Sequence, residues 1–430
     1  MAPVPVDRGA RPTVAIISAR KPDVLAVLRA VLREHGCRVV SVAEETPWEV
    51  LLGVDVPIEA DLEDWDAVVA ALAEVAARDG LDAVITHIET RVPLMAFAAE
   101  QLGLGPTISL EAALNCRDKL RTRDRLQAAG LDDVPHACVH DLDAARRAAR
   151  GIGLPVVVKP RDGASGQGVR LCRSLSEVEA AAALVLDRAA APHRADGALI
   201  EGYLEGHELA IQSVTVNGTT DVVSVFDEII SPPPLFVEAG FRYPSRLSPH
   251  ELDAAVGLAR NALAALGFDH WVAHTQIRMT SAGPRIVEVN ARVPGGRLLA
   301  MTEAVSGVNL LRAVTELSLG QPVSRAAPRA AVAAYQSIVF SQTGQLFYEP
   351  APALALLSEP APIVELDIEP GHFVRAVTDP DGGVYGRIVV FGDEPAVVHE
   401  DLARIQRALR LEVVPADTPG EDMRDIRQCC

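Results

Sequence analysis

A mixed α/β and α+β chain of several domains is the fold class this sequence predicts. Apolar strands alternate with amphipathic helices from residue 13 to 110. A glycine-rich loop joins two apolar strands at 156–172. A strand-rich stretch then occupies the C-terminal third. At 430 residues the length corresponds to roughly two to four domains, and 49 % hydrophobic content suffices for sizeable cores.

The N-terminal elements follow in order. "TVAIIS" (13–18) reads as a buried strand, "KPDVLAVLRAVLREHG" as a helix and "CRVVSVA" as a second strand. "DWDAVVAALAEVAARDG" places Trp65, Val68, Leu72 and Val75 on one helical face and stops at Gly80, and "LDAVITH" (81–87) is another strand. This alternation predicts a doubly wound, Rossmann-like, largely parallel sheet. No G-x-G-x-x-G follows the first strand, so a dinucleotide site is not indicated.

One long helix is expected over 109–130, opened by Ser109 and closed by Gly130. Ser174 and Glu177 form a capping-box pair, and Asn217-Gly218 supplies the turn of a hairpin. Ser248, Pro249, Glu251 and Gly267 bound a further helix. Strands "PIVELDI", "HFVRAVT" and "VYGRIVVFG" and a helix at 394–410 read as an accessory α+β lobe. The expected division is a disordered leader (1–12), an N-terminal domain (13–110), a central domain (111–325, with a flap subdomain at about 135–205), a C-terminal lobe (326–412) and a tail (413–430).

Charge and cysteines exclude several classes. The net charge of −18 argues against nucleic acid or an anionic membrane as partner, because those are bound through clustered Lys and Arg. No run of about 18 apolar residues marks a membrane span, and "MAPVPVDRGARP" lacks a signal core. The six cysteines (37, 116, 138, 172, 429, 430) lack metal-ligand spacing and read as reduced cytoplasmic thiols, Cys429 and Cys430 as a frayed end.

In "VVVKPRDGASGQGVRLC" (156–172), Lys159 ends a strand and Gly163, Gly166 and Gly168 leave a backbone whose N–H groups can approach phosphate. A Walker loop would run into a helix after Lys-Ser/Thr. Here Val169 and Leu171 continue as strand, so the loop reads as a hairpin tip closing over a triphosphate, with Lys159 neutralising a phosphate. The bland alternative is a flexible surface hairpin. In "HTQIRMTSAGPRIVEVNAR" (274–292), a turn at Thr280–Pro284 sets Gln276 opposite Glu288, on one face with Asn290. Ile277, Met279, Val287 and Val289 then share the other face. An oxygen-rich patch of this kind suits Mg²⁺, which takes few protein ligands and completes its shell with phosphate. An ordinary solvent face is the alternative.

Lys119, Lys159, "DGASGQG", "EGYLEGHE" (201–208) and "EVNAR" (288–292), in that order, resemble the ATP-grasp carboxylate–amine ligases. "FVEAGFRYPS" (236–245), "EVNARVPGG" (288–296) and the C-terminal "DIEPGHFVRAVTDPDGGVYGRIVVFGD" are similar to the L-amino acid ligases among them, relatives of dipeptide ligases and carnosine synthase. The resemblance implies an ATP-grasp fold and ATP with Mg²⁺, or Mn²⁺, as cofactors. It implies that Lys119 and Lys159 contact phosphates, that Ser165 and Gly166 belong to the flap, and that Glu201, Gly202, Tyr203 and Leu204 form the adenine-reading hinge. Glu208 would accept ribose hydroxyls, Glu288 and Asn290 would hold Mg²⁺ with Gln276, and Arg292 would steady the transferred phosphate. Gln276 departs from the usual carboxylate there, which puts one metal position in question.

The implied reaction joins a small-molecule carboxylate to an amine through an acyl phosphate, releasing ADP and phosphate, in a cytoplasmic homodimer. Substrate-side candidates are Glu238, for an amino group, His274, Glu89 at a strand end, and Gly295 with Gly296, which admit close backbone approach. Their bland alternatives are a loop carboxylate in water, a packed histidine, a helix-start acid and a simple turn. Biotin-carboxylase-like and purine-pathway ligases share the core, and a non-catalytic ATP-binding protein is the rival outside enzymes.

Overall fold

A computed structural model describes residues 11–17, 22–45, 53–163, 166–189, 195–231, 236–295, 297–348, 361–377 and 382–415. Ser165, Gly296, most of the expected leader and tail, and the proline turn at 232–235 lie outside the described residues.

Strands β1 (Thr13–Ile17), β2 (Arg38–Ala43), β3 (Val56–Glu59) and β4 (Ala83–Ile85) form a parallel sheet in the order β3-β2-β1-β4. Every residue of β1 is buried, which is why it reads as an unbroken apolar run rather than an alternation. The helix Trp65–Asp79 starts where the Asp64 side chain accepts from the Ala67 N–H, and it buries Val68, Leu72 and Val75. After β4, Glu89 opens a 3₁₀ turn, Glu89–Arg91, leading into the helix Val92–Gln101.

The long helix expected over 109–130 is two helices, Leu110–Arg117 and Lys119–Ala128. Asp118 breaks it: its backbone turns extended (φ −94°, ψ 109°) and its carboxylate accepts from the Leu120 N–H. An Asp can do this because its short side chain competes with the helix for backbone donors. The break lets the Lys119 N–H donate to the Arg161 carbonyl, which docks the second helix on the flap.

The flap sheet is β5 (His136–Val139), β6 (Val156–Pro160), β7 (Arg170–Cys172) and β8 (Ala198–Gly202), antiparallel in the order β5-β8-β6-β7. Helices Leu142–Ile152 and Leu175–Ala189 cover it through a core that includes Ala145, Val156, Val158, Val178 and Val185. Half of the expected Ser174 box forms. Ser174 Oγ accepts from the Glu177 N–H, whereas the Glu177 carboxylate takes the Arg173 N–H.

The central strands are β9 (His207–Val216), β10 (Thr219–Ile230), β11 (Glu238–Tyr243), β12 (Trp271–Thr280) and β13 (Gly283–Asn290). The remainder are β14 (Val332–Ser337), β15 (Gly344–Phe347), β16 (Ile363–Leu366), β17 (Phe373–Val374), β18 (Gly386–Gly392) and β19 (Glu412–Pro415). Eight of them make one sheet, β13-β12-β9-β10-β11-β14-β18-β16, and β17-β15-β19 make a small one. The C-terminal strands therefore extend the central sheet instead of forming a wholly separate lobe. At the junction of β11 and β14 a Cβ on Gly240 would lie 2.4 Å from the Tyr335 carbonyl oxygen, so only glycine fits.

Asn217 (φ 51°) and Gly218 (φ 72°) make the β9–β10 turn, and the Ser248–Glu251 capping box forms in full. The β12–β13 hairpin pairs Gln276 with Glu288 as expected, but its turn closes at Thr280 and Gly283. A bulge after Gln276 also pairs Ile277 with Ile286. Ile286, not Val287, thus enters the core beside Ile277 and Val289. Among the described residues no helix is long and apolar enough to cross a membrane, and Cys37, Cys116, Cys138 and Cys172 are free thiols.

Candidate active site

Lys119 and Lys159 both reach the space under the flap from buried stems. Lys119 Nζ donates to the Gly163 carbonyl (2.9 Å) and pairs with Glu288 (2.7 Å), so it ties flap backbone to the β13 carboxylate. Lys159 Nζ pairs with Glu201 (2.6 Å). Glu201 in turn takes Arg123 Nε (2.7 Å), whose other nitrogen holds Asp132 (2.5 Å). Burial alone would raise the Glu201 carboxyl, but the charges of Arg123 and Lys159 outweigh it and hold it near about 2. Burial lowers the Lys159 ammonium.

The four hinge residues divide. Glu201 and Gly202 end β8, while Tyr203 and Leu204 follow it. The N–H groups of Gly202 and Tyr203 are taken by the carbonyls of Pro135 and Pro155. The Leu204 carbonyl accepts from Arg278 (2.9 Å), and Arg278 also pairs with Glu208. Glu208, the expected ribose acceptor, thus lies beside the hinge, with the Arg278 guanidinium 6.0 Å from the centre of the Tyr203 ring. Gly166, at the flap tip, takes φ 68°, and a Cβ on it would come within 3.9 Å of the Phe236 carbonyl.

The carboxylate face lies on β10, β12 and β13. Glu288 is half-buried, and loss of solvation would raise its carboxyl, yet Lys119 holds it low. The Asn290 amide lies between two carboxylates, which orient its nitrogen toward Glu288 Oε1 (3.3 Å) and Glu89 Oε2 (3.2 Å). Gln276 is held by a residue the sequence reading missed. Its Nε2 donates to both oxygens of Glu228, at 3.0 Å each. Burial first, then the charge of Glu238, pushes the Glu228 carboxyl up to about 8. One signal was available. Glu228 shares a strand face with Phe226, a core position where a carboxylate is out of place.

Glu89 and Arg292 meet across 203 positions, at 3.0 Å, and Glu89 also holds Arg117 at 3.0 Å. Arg117, also missed, donates to the carbonyls of Asp162 and Gly163, so it links Glu89 to the flap. Glu89 therefore starts a helical turn and at the same time joins Arg117 to Arg292. Glu238 opens β11 rather than sitting in a loop. The residue is exposed by surface area, yet loss of solvation to the protein around it pushes its carboxyl up to about 7. His274 is buried, and burial with the nearby Arg292 lowers it to about 3, so the ring is neutral. Its Nδ1 lies 2.9 Å from the Gln212 amide nitrogen. A Cβ on Gly295 would meet nothing within 4 Å.

Two lysines and a glycine loop stand over a half-buried carboxylate–amide hairpin, the whole carried by a flap sheet and a central antiparallel sheet. The ATP-grasp domain family matches residues 152–300, which contain the flap, the hinge and the hairpin. The chain has an ATP-grasp fold. It is 28 % identical over 274 residues to alanine–anticapsin ligase of Bacillus subtilis (strain 168), covering 59 % of this chain and 57 % of that protein. Carnosine synthase 1 of Gallus gallus is 30 % identical over 266 residues, 58 % of this chain and 28 % of that protein. The chain thus spans about half the length of the first relative and about a quarter of the second. The L-amino acid ligase structure from Bacillus licheniformis superposes with a TM-score of 0.78 at 22 % identity, covering 95 % of this chain and 100 % of that one. That likeness extends the ATP-grasp fold to the N-terminal domain and the C-terminal strands.

Proposed function

We propose that this protein of ATP-grasp fold is an ADP-forming ligase that joins an amino acid, or a related acid, to an amine. The observation that carries the proposal is the convergence of Lys119, Glu288, Asn290, Glu89 and Arg292 beneath the flap, from a helix start, a 3₁₀ turn and the end of β13. The ligase names of the relatives support it.

A carboxylate is a poor acyl donor because its leaving group would be oxide. Attack of a carboxylate oxygen on the γ-phosphorus of ATP expels ADP and gives an acyl phosphate. Attack of the amine nitrogen on the acyl carbon then expels phosphate, and the nitrogen gives up a proton. Lys119 and Lys159 offset phosphate charge, and Lys119 draws the flap backbone onto the site. Arg292 stabilises the negative charge of the phosphate being transferred. Glu89 and Glu238 offer carboxylates to an ammonium group, and flap closure keeps water from the acyl phosphate.

The donor set fits Mg²⁺. Glu288 would supply a carboxylate, and Gln276 and Asn290 would supply amide oxygens. When bound, the ion would screen the phosphate oxygens. The test is incubation with Mg-ATP and a pool of amino acids, with condensation products followed by mass spectrometry and ADP by a coupled assay. A dipeptide or amide with matching ADP is expected, and Glu288→Ala should lower ADP release about a hundredfold or more, by analogy with loss of other transition-state charge stabilisers. AMP in place of ADP sinks the proposed chemistry. Nucleotide binding without turnover on any acid–amine pair favours the binding-protein reading.

A further inference from the structure

Gln276 is ambiguous as a ligand because one end of an amide is an acceptor and the other a donor. A nitrogen turned toward a cation repels it, and nothing in the residue itself selects the orientation. Resting on the proposed function, we propose that Glu228 positions Gln276. It commits the amide nitrogen to β10, and so presents the amide oxygen to the Glu288 side as a neutral cation ligand.

The sheet order makes this geometry available. Gln276 stands on β12, with β9 and then β10 on one side and β13 on the other. On β9 the residue paired with Gln276 is Ala210, fully buried and with only a methyl group. Ala210 also pairs with Phe226, and Glu228 lies one rung further along β10, opposite Glu208. The Gln276 and Glu228 side chains therefore reach each other diagonally across β9, over the one small side chain between them. Both Glu228 oxygens accept from the same nitrogen at 3.0 Å. With its nitrogen at 3.0 Å from both Glu228 oxygens, the amide turns its oxygen away from that side. What remains on the β13 side, where Gln276 pairs with Glu288, is the oxygen. Glu228 is thus a positioning residue, and its influence on the cation passes through Gln276.

The probe is Mn²⁺ with a non-hydrolysable ATP analogue, its bound fraction read from the electron paramagnetic resonance of the free ion. Glu228→Gln preserves volume and lets the two amides pair in either orientation. It is expected to weaken Mn²⁺ binding about tenfold, the scale of outer-shell losses at metal sites. The double variant with Gln276→Ala should bind no more weakly than Gln276→Ala alone, because effects that act through one group do not add. Gln276→Glu in the Glu228→Gln background should restore binding, since a carboxylate shows oxygen either way round. Circular dichroism and melting confirm that each variant folds. Wild-type affinity in Glu228→Gln overturns the proposal, and so does a folded Gln276→Glu/Glu228→Gln protein that stays weak, which would make Glu228 itself the ligand. A wild-type protein that binds the analogue and Mn²⁺ no better than Glu288→Ala overturns the parent reading as well.

Discussion

Glu201 and Glu228 are both glutamates on adjacent subdomains, both almost fully buried, and their carboxyls lie on opposite sides of the ordinary value, at about 2 and about 8. Burial penalises both. The difference is company. Glu201 lies between Arg123 and Lys159, and Asp132 completes a set in which two cations meet two anions. Glu228 has an amide donor and, nearby, the like charges of Glu238 and Glu288. Glu201 is neutralised by the cations it touches, and Glu228 touches none. Pairing, not depth, separates the two carboxylates.

Removing the cation that makes the first cluster self-sufficient should have the largest effect. Arg123→Leu leaves Glu201 and Asp132 buried against an apolar side chain, and the expected loss is about 3–5 kcal/mol, read from the denaturation midpoint. A loss under about 1 kcal/mol, the scale of an exposed pair, would mean the cluster is open to water and the contrast false.

The pH dependence of stability should separate the two glutamates by sign. Glu201 titrates lower folded than unfolded, so its stabilisation is complete above about 4.5 and fades as pH falls toward about 2. Glu228 titrates higher folded, so it costs nothing below about 4.5, and its cost grows as pH rises and is complete above about 8. Glu228→Gln should accordingly flatten the decline of stability between pH 5 and 8 and gain most at the alkaline end, on the order of 1 kcal/mol for every tenfold difference in proton affinity between the folded and unfolded chain. Glu201→Gln should destabilise throughout the neutral range. Parallel curves for the two variants would remove the distinction.

The smallest effect belongs to a surface control. Arg325 and Asp221 pair at 2.6 Å with both side chains more than half exposed. Arg325→Ala should change stability by about 0–1 kcal/mol, less still in high salt. A loss comparable to that of Arg123→Leu would show that exposure does not govern the worth of these pairs.

The N-terminal sheet was legible because its signals are local: apolar runs, a capping Asp64 and a stop at Gly80. So was the Gln276–Glu288 register, which a period-two pattern selects. The bulge that swaps Ile286 for Val287 was not, since both residues are apolar and β-branched and the pattern tolerates either. The break at Asp118 could be read as a surface acid in a continuing helix, because its purpose is a contact with Arg161, far along the chain. Lys119, Lys159, Glu288 and Arg292 carry family motifs, so the sequence named them. Their holders did not declare themselves. Arg123 meets Glu201 across 78 positions and Gln276 meets Glu228 across 48, and no local periodicity encodes such pairs.

One consequence lies in the sheet that runs unbroken from β13 to β16. Because β14 hydrogen-bonds directly to β11, a chain cut near residue 326 would expose the backbone of β11 as a raw edge in the middle of a wide sheet. Glycine at 240 makes that edge flatter and easier for a foreign strand to approach. The C-terminal strands thus act as a selvedge, the finished border that keeps the fabric from ravelling into its neighbours. Shortened versions made for expression or crystallisation should be cut elsewhere, or carry a charged side chain on β11 to guard the opened side.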